Sequence, residues 1–172
     1  KRLDGSKKQF SYYTGTESGE ESIDWSQEYN FNGTAVKTTT VYDHDASGAL
    51  TKSTVYKYMV EVAVRPLAAV LTLKKSETIY QGTKGDEKSD YTNNYKANGL
   101  DIDTVTTYFY HVDATHNTER AADANADSYM TKSETKRLDG SKKQFSYYTG
   151  TESGEENIDW SQEYNFNGTA VK

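Results

Sequence analysis

Along most of this chain, apolar and polar residues alternate with a period of two, and Gly, Asn and Asp cut the alternation into short runs. Thr38, Thr40 and Tyr42 share one face of an extended segment, and Thr104, Thr106, Tyr108 and Tyr110 share one face of a second, between residues 103 and 112. Tyr58, Val60, Val62 and Val64 alternate with Met59, Glu61, Ala63 and Arg65, which predicts a third strand; a fourth is expected over residues 67–73, after Pro66. Asn32-Gly33, Ser47-Gly48, Asn98-Gly99 and Asn167-Gly168 mark hairpin or corner turns, because glycine reaches positive φ without steric cost. The one helix candidate is segment 118–129, rich in Ala but also in Asp and Asn. The pattern predicts an all-β fold.

A longer order lies above these runs. Residues 1–37 return at 136–172 with a single change, Ser22 to Asn157. Folding constraints preserve a pattern but let surface positions drift, so a copy this faithful points to duplication of a unit 135 residues long. Inside that unit, the run from Tyr13 matches the run from Tyr80 after deletion of one residue. The match aligns Gly15 with Gly82, Trp25 with Tyr91, Tyr29 with Tyr95, Gly33 with Gly99, and Tyr42 with Tyr108. The expected organisation is one full repeat over 1–135, with 1–37 as the C-terminal or junction part of one repeat phase and two diverged halves at about 8–73 and 74–135; the next repeat starts at 136–172. Units of this size complete their core against neighbours. The expected architecture is therefore tandem strand-rich repeats, stacked or wound into an elongated β structure, β-solenoid-like or built of β-sandwich modules.

Composition sharpens this picture. Only 34% of the residues are hydrophobic, 15 are Tyr, and one is Pro, which suits half-buried pleated surfaces and leaves little material for a large core. The net charge of −6, with both signs interspersed, argues against nucleic acid as a partner, since phosphate binding needs concentrated Lys and Arg. With no Cys, neither disulfides nor thiolate metal sites are available. The most apolar stretch, 58–73, carries Glu61, Arg65 and Pro66 and is too short to insert across a bilayer.

The runs YNFNGTAVKTTTVYDHDASGALTKST and YKANGLDIDTVTTYFYHVDA resemble the tyrosine-aspartate (YD) repeats of Rhs-type bacterial surface and toxin-shell proteins. That signature is Tyr-Asp, a few residues, Gly and a hydrophobic residue; Tyr42, Asp43, Gly48 and Leu50 carry it, and Tyr29, Asn30 and Gly33 match in part. Tyr95 with Gly99 and Tyr164 with Gly168 are further partial matches, so the resemblance covers about half of the chain. It implies a secreted or surface-displayed β scaffold whose strands wrap in succession, with the wall of a toxin shell as one use. It carries no enzyme activity.

Several clusters have the residue types that chemistry needs. Asp43, Asp45 and Ser47, followed by Gly48 and Leu50, have the alternating oxygens and sharp turn of a calcium loop, though Thr54 stands where the bidentate acid is expected. Against that stands a plain turn whose Asp bonds its own backbone. His111, Asp113 and His116 are spaced like a small metal triad. Trp25 and Tyr29, recurring as Trp160 and Tyr164, project with Phe31 to one side of a strand, either as a glycan-stacking platform or as the main core of a chain short of aliphatics. Asn32-Gly-Thr34 and Asn167-Gly-Thr169 fit the N-glycosylation pattern. The acidic pairs Glu20-Glu21 and Glu155-Glu156 sit in Gly/Ser-rich loops and read as charged loops, not as a glycosidase pair.

With no nucleophile–base pair and no phosphate-binding glycine loop, the expectation is not an enzyme. It is a structural module of a repetitive extracellular or cell-surface fibre, bacterial in origin, whose partners are identical neighbouring repeats. The alternatives are an adhesin module that binds glycan or calcium, and the shell wall. No cofactor is expected other than calcium.

Overall fold

The computed structural model describes residues 2–3 and 5–172. Ten strands follow one another along the chain: β1 (Gln9–Thr14), β2 (Ser22–Tyr29), β3 (Val36–His44), β4 (Leu50–Tyr56), β5 (Lys74–Gln81), β6 (Lys88–Tyr95), β7 (Ile102–Tyr110), β8 (Met130–Arg137), β9 (Lys142–Thr149) and β10 (Asn157–Glu163). They form one open antiparallel sheet whose spatial order is the chain order. The all-β expectation holds. Among the described residues, the strands belong to a single sheet and not to two sheets packed face to face, and helical geometry is confined to a 3-10 turn at Ala68–Val70.

The predicted strand carrying Thr38, Thr40 and Tyr42 forms as β3, the one predicted over 103–112 forms as β7 and stops at Tyr110, and the Asn-Gly and Ser-Gly turns lie where the pattern puts them. Gly33 shows why glycine is required: its φ is +67°, and a Cβ there would stand 2.5 Å from the backbone nitrogen of Lys7. The turn between β3 and β4 is held by Asp45, whose Oδ1 accepts from Ser47 N (2.8 Å), Ser47 Oγ (2.6 Å) and Ala49 N (3.0 Å).

Two predicted strands and the helix candidate do not form. Residues 57–73 are extended in pattern, yet their backbone is engaged by side chains of other strands instead of a ladder, and Pro66 offers no N–H. Segment 118–129 folds as turns. Its Asn and Ser bond locally, with Asn125 N donating to Ser128 Oγ (3.0 Å) and Ser128 N to Asn125 O (3.1 Å), which competes with a helical ladder.

Register sets the two faces. One face carries the rows Tyr12–Trp25–Val41–Thr54 and Phe10–Gln27–Thr39–Tyr56 across β1 to β4. The opposite face carries Ser53–Thr78–Thr92–Thr106–Thr135 across β4 to β8. On this second face the hydroxyls bond across strands, Thr78 to Thr92 at 2.8 Å and Thr106 to Thr135 at 2.9 Å. Tyr80, Tyr108 and Tyr148 each turn their hydroxyl onto the strand before, meeting Ser53, Thr92 and Ser133. Cross-strand pairs of this kind contribute roughly 0.2–1 kcal/mol each. The buried apolar groups are few: Trp25, Tyr29, Val36, Val41, Ala49, Tyr110 and Ala121.

Candidate functional site: a strap on an aromatic stack

Four of those buried residues, Trp25, Tyr29, Val36 and Val41, lie on β2 and β3, where the chain between β4 and β5 folds back over the first face. This strap, residues 57–73, leaves and rejoins the sheet at one point, since Lys57 N donates to Leu73 O (2.8 Å). It is fastened by Gln27, which is 1% exposed. The Gln27 amide donates to Val60 O (2.8 Å) and Thr39 Oγ1 (3.0 Å) and accepts from Val62 N (3.2 Å), so one side chain stands in for a strand neighbour. Thr39 Oγ1 in turn donates to Tyr58 O (2.9 Å).

Two charged anchors flank this amide. Lys7 donates to Glu61 at 2.6 Å, with its ammonium over the rings of Phe10 and Tyr29. The Glu61 hydrogen bond holds the Lys7 ammonium above its ordinary pKa, and Lys7 holds the Glu61 carboxyl below its own. Burial, followed by Glu61, pushes the Tyr29 hydroxyl up. At the other end Arg65 pairs with Asp24 and with Asp43 (2.9 Å). Beneath the strap, Tyr12 stacks on Trp25 with ring centroids 3.9 Å apart.

The second copy of these strands has the same pairing and a different fate. Tyr147 lies opposite Trp160 and Phe145 opposite Gln162, as Tyr12 lies opposite Trp25 and Phe10 opposite Gln27. Tyr147 and Trp160 also stack, at 4.1 Å. Yet Trp25 is 2% exposed and Trp160 is 46% exposed. Trp160 and Tyr147 line an open cleft of about 480 Å³ together with Asp159, Tyr129 and Thr149.

The other sequence-predicted groups separate. Trp25 and Tyr29 are enclosed, so neither offers a ring face to a sugar; Trp160 and the half-buried Tyr164 remain outside the strap. Phe31 lies past the end of β2, exposed in the turn beneath the Arg2 guanidinium, and does not continue the aromatic row. Asn32 and Asn167 are exposed in their turns. The Asp43 carboxylate is engaged by Arg65 and Lys52 (3.2 Å), while Asp45 is occupied by its own turn, whose Ser47 hydroxyl lowers its pKa. Asp45 and Ser47 thus meet within the turn, while Asp43 is committed to the two cations. His111 stacks on Tyr129 (4.6 Å) while His116 Nδ1 meets Asp113 at 2.8 Å, and among the described residues no group of three or more His, Asp or Glu side chains is placed to hold a metal ion.

Sequence reasoning passed over the residues that do the fastening. Gln27 looked like an ordinary polar strand position. The carboxylates of the acidic loops also have a structural role: Glu87 accepts from Gly85 N (3.1 Å) and from Leu50 N at the start of β4 (2.9 Å). Glu156 does the same with Gly154 N (3.0 Å) and Met130 N at the start of β8 (2.8 Å). The usable signal was their fixed place two residues after a loop glycine.

Comparison with protein-family models, with curated proteins and with solved structures finds no match to this chain.

Two outcomes are expected. Trp25→Ala should lower unfolding stability by about 3–5 kcal/mol, as for other buried tryptophans, whereas Trp160→Ala should cost about 1 kcal/mol; urea unfolding of both variants measures the difference. His116 should titrate above its ordinary value of 6.5, because its hydrogen bond to Asp113 favours the imidazolium. That contribution is complete below the ordinary imidazole pKa and vanishes as pH rises through the raised one; the Asp113 contribution, its pKa lowered chiefly by Thr115, vanishes as pH falls through that lowered value. NMR titration should show the His116 pKa falling back in Asp113→Asn.

Proposed function

We propose that this chain is a structural module of a repetitive extracellular or cell-surface fibre, bacterial in origin, in which the sheet continues from one unit to the next. The supporting observation is the coincidence of the sequence repeat with the sheet. The strands of the second copy, β9 and β10, pair in the register of β1 and β2 and stand eight strands further along one sheet in sequential order. A sheet of this kind ends in two edges, β1 and β10, whose outer N–H and C=O groups are templates for a further strand. An identical junction at every step propagates as a filament when its rotation does not close. The function is then mechanical, resting on main-chain hydrogen bonds along the fibre axis and a polar exterior that keeps the fibre hydrated.

The burial of Trp25 and Tyr29 favours this reading over a glycan-binding adhesin, for which only Trp160 and Tyr164 are left as a platform. The YD-like turns are compatible with the same strands forming a shell wall, which differs from a fibre in how the sheet curves.

The spacing is a direct test. Neighbouring strands lie about 4.8 Å apart, so eight strands advance the axis by roughly 38 Å for each 135 residues before twist shortens it. Electron microscopy of several linked repeats should show a filament with that axial period; separate flexible beads, or a closed hollow particle, would reject the fibre.

A further inference from the structure

The surface of β9 and β10 repeats the residues with which β1 and β2 hold the strap, and its Tyr147, Asp159 and Trp160 line the open cleft. We infer that it is a docking seat for a second copy of segment 38–73, that is, for β3, β4 and the strap of another unit. This deepens the fibre reading by naming what meets the end of the sheet, and it rests on that reading for the source of the occupant.

Each anchor of the occupied seat has a counterpart in the open one. Lys7, which takes Glu61, corresponds to Lys142, whose ammonium lies over Phe145 (5.4 Å) and Tyr164 (5.5 Å) as that of Lys7 lies over Phe10 (5.7 Å) and Tyr29 (5.0 Å). Gln27, which holds Val60 and Val62, corresponds to Gln162, opposite Phe145. Asp24, which takes Arg65, corresponds to Asp159 on the wall of the cleft. The stacked pair that the strap roofs in one copy, Tyr12 on Trp25, is Tyr147 on Trp160 in the other. The charge pattern is complementary to a strap carrying Glu61 and Arg65: a cation at one end, a carboxylate at the other, and an amide between.

Register fixes where the occupant begins. In the occupied seat Tyr29 pairs with Val36, and β3 continues along β2 with Thr38 opposite Glu28, Thr39 opposite Gln27 and Val41 opposite Trp25. In the second copy Tyr164 already pairs with Val171, the counterpart of Val36. Lys172 N also donates to Glu163 O (2.9 Å); beyond that bond β10 has a strand on one side only among the described residues, so Gln162 and Trp160 present an edge to Thr39 and Val41 of an incoming segment. Docking is thus β-strand addition at the edge with side-chain anchors on the face, the first supplying affinity and the second selectivity. The incoming strand also supplies what the seat lacks, the Thr39 hydroxyl that bonds Tyr58 O and the Asp43 carboxylate that shares Arg65.

The test uses the full chain and a synthetic peptide of residues 38–73, which contains no Trp, so that emission excited selectively from tryptophan comes from Trp25 and Trp160 alone. Iodide should quench Trp160 and spare Trp25 in the free chain, and the peptide should remove the Trp160 quenching in a saturable way. Asp159→Lys in the chain, or Arg65→Glu in the peptide, should each weaken binding about ten-fold, as expected for loss of a charged hydrogen bond. The two changes together should recover part of the loss, which separates a specific pair from a general effect of charge. Gln162→Ala should weaken binding by a similar factor. Unchanged quenching with excess peptide, or equal affinity across these variants, would overturn the inference. A filament of the expected period formed by linked repeats, with no peptide binding, would overturn the seat and leave the fibre standing; peptide binding without filaments would do the reverse.

Discussion

Everything in this fold follows from a shortage of second layers. A sheet normally buries one face against another sheet or against helices, and here a single ten-stranded sheet must supply its own cover. The solution is the Gln27 amide, buried among Thr39, Val60 and Val62, which fastens residues 57–73 over the Tyr12–Trp25 stack. A buried amide with its partners in place fixes the strap in one register, because any shift would leave a polar group unpaired in an apolar setting. Where the strap lies, aromatic residues become core. Beside β10, where neither a following strand nor a strap lies among the described residues, the same residues are surface: Trp25 is 2% exposed and Trp160 46%.

Away from the strap, the sheet is stabilised by many small terms. Hydroxyl pairs such as Thr78 with Thr92 and Thr106 with Thr135 satisfy polar groups on the second face. Loop carboxylates add a second kind of tie, since Glu87 and Glu156 each join a hairpin loop to the first residue of a strand two places back, β4 for one and β8 for the other. Such ties fix the order of strands without calling on a hydrophobic core. This is how a chain with few aliphatics and abundant Ser, Thr and Tyr sustains a long sheet.

Much of this was legible in the sequence. Period-two alternation and the glycine turns located β3 and β7 and gave the all-β class, because those signals are local and steric. Strap 57–73 was not legible: its alternation is real, but whether an extended segment joins a ladder or crosses a face depends on partners far away in the chain, here Gln27 and Thr39. Segment 118–129 misled for the opposite reason, since its Ala content favours a helix while its Asn and Ser side chains take local bonds instead. The contest between core and platform for Trp25 was open in the sequence because two identical stretches, around Trp25 and Trp160, have different surroundings. Identity of sequence gives them the same pairing, and their exposure follows from their neighbours: β3, β4 and the strap for Trp25, none of these for Trp160.

Residue-resolved hydrogen exchange tests most directly whether the strap creates the core. β2, β3, β6 and β7 are all interior strands paired on both sides, so edge effects do not separate them. Of these strands, the strap is bonded to the first pair alone, whereas β6 and β7 meet segment 111–129 only at their ends, through the Arg120–Asp90 ion pair and the Tyr110–Glu119 bridge. If it is the source of stability, the amides of Gln27 and Thr39 and their neighbours exchange at least about ten-fold more slowly than those at the centres of β6 and β7. Equal protection of the two pairs, or slower exchange in β6 and β7, would contradict the account and place the stability in the ladders alone.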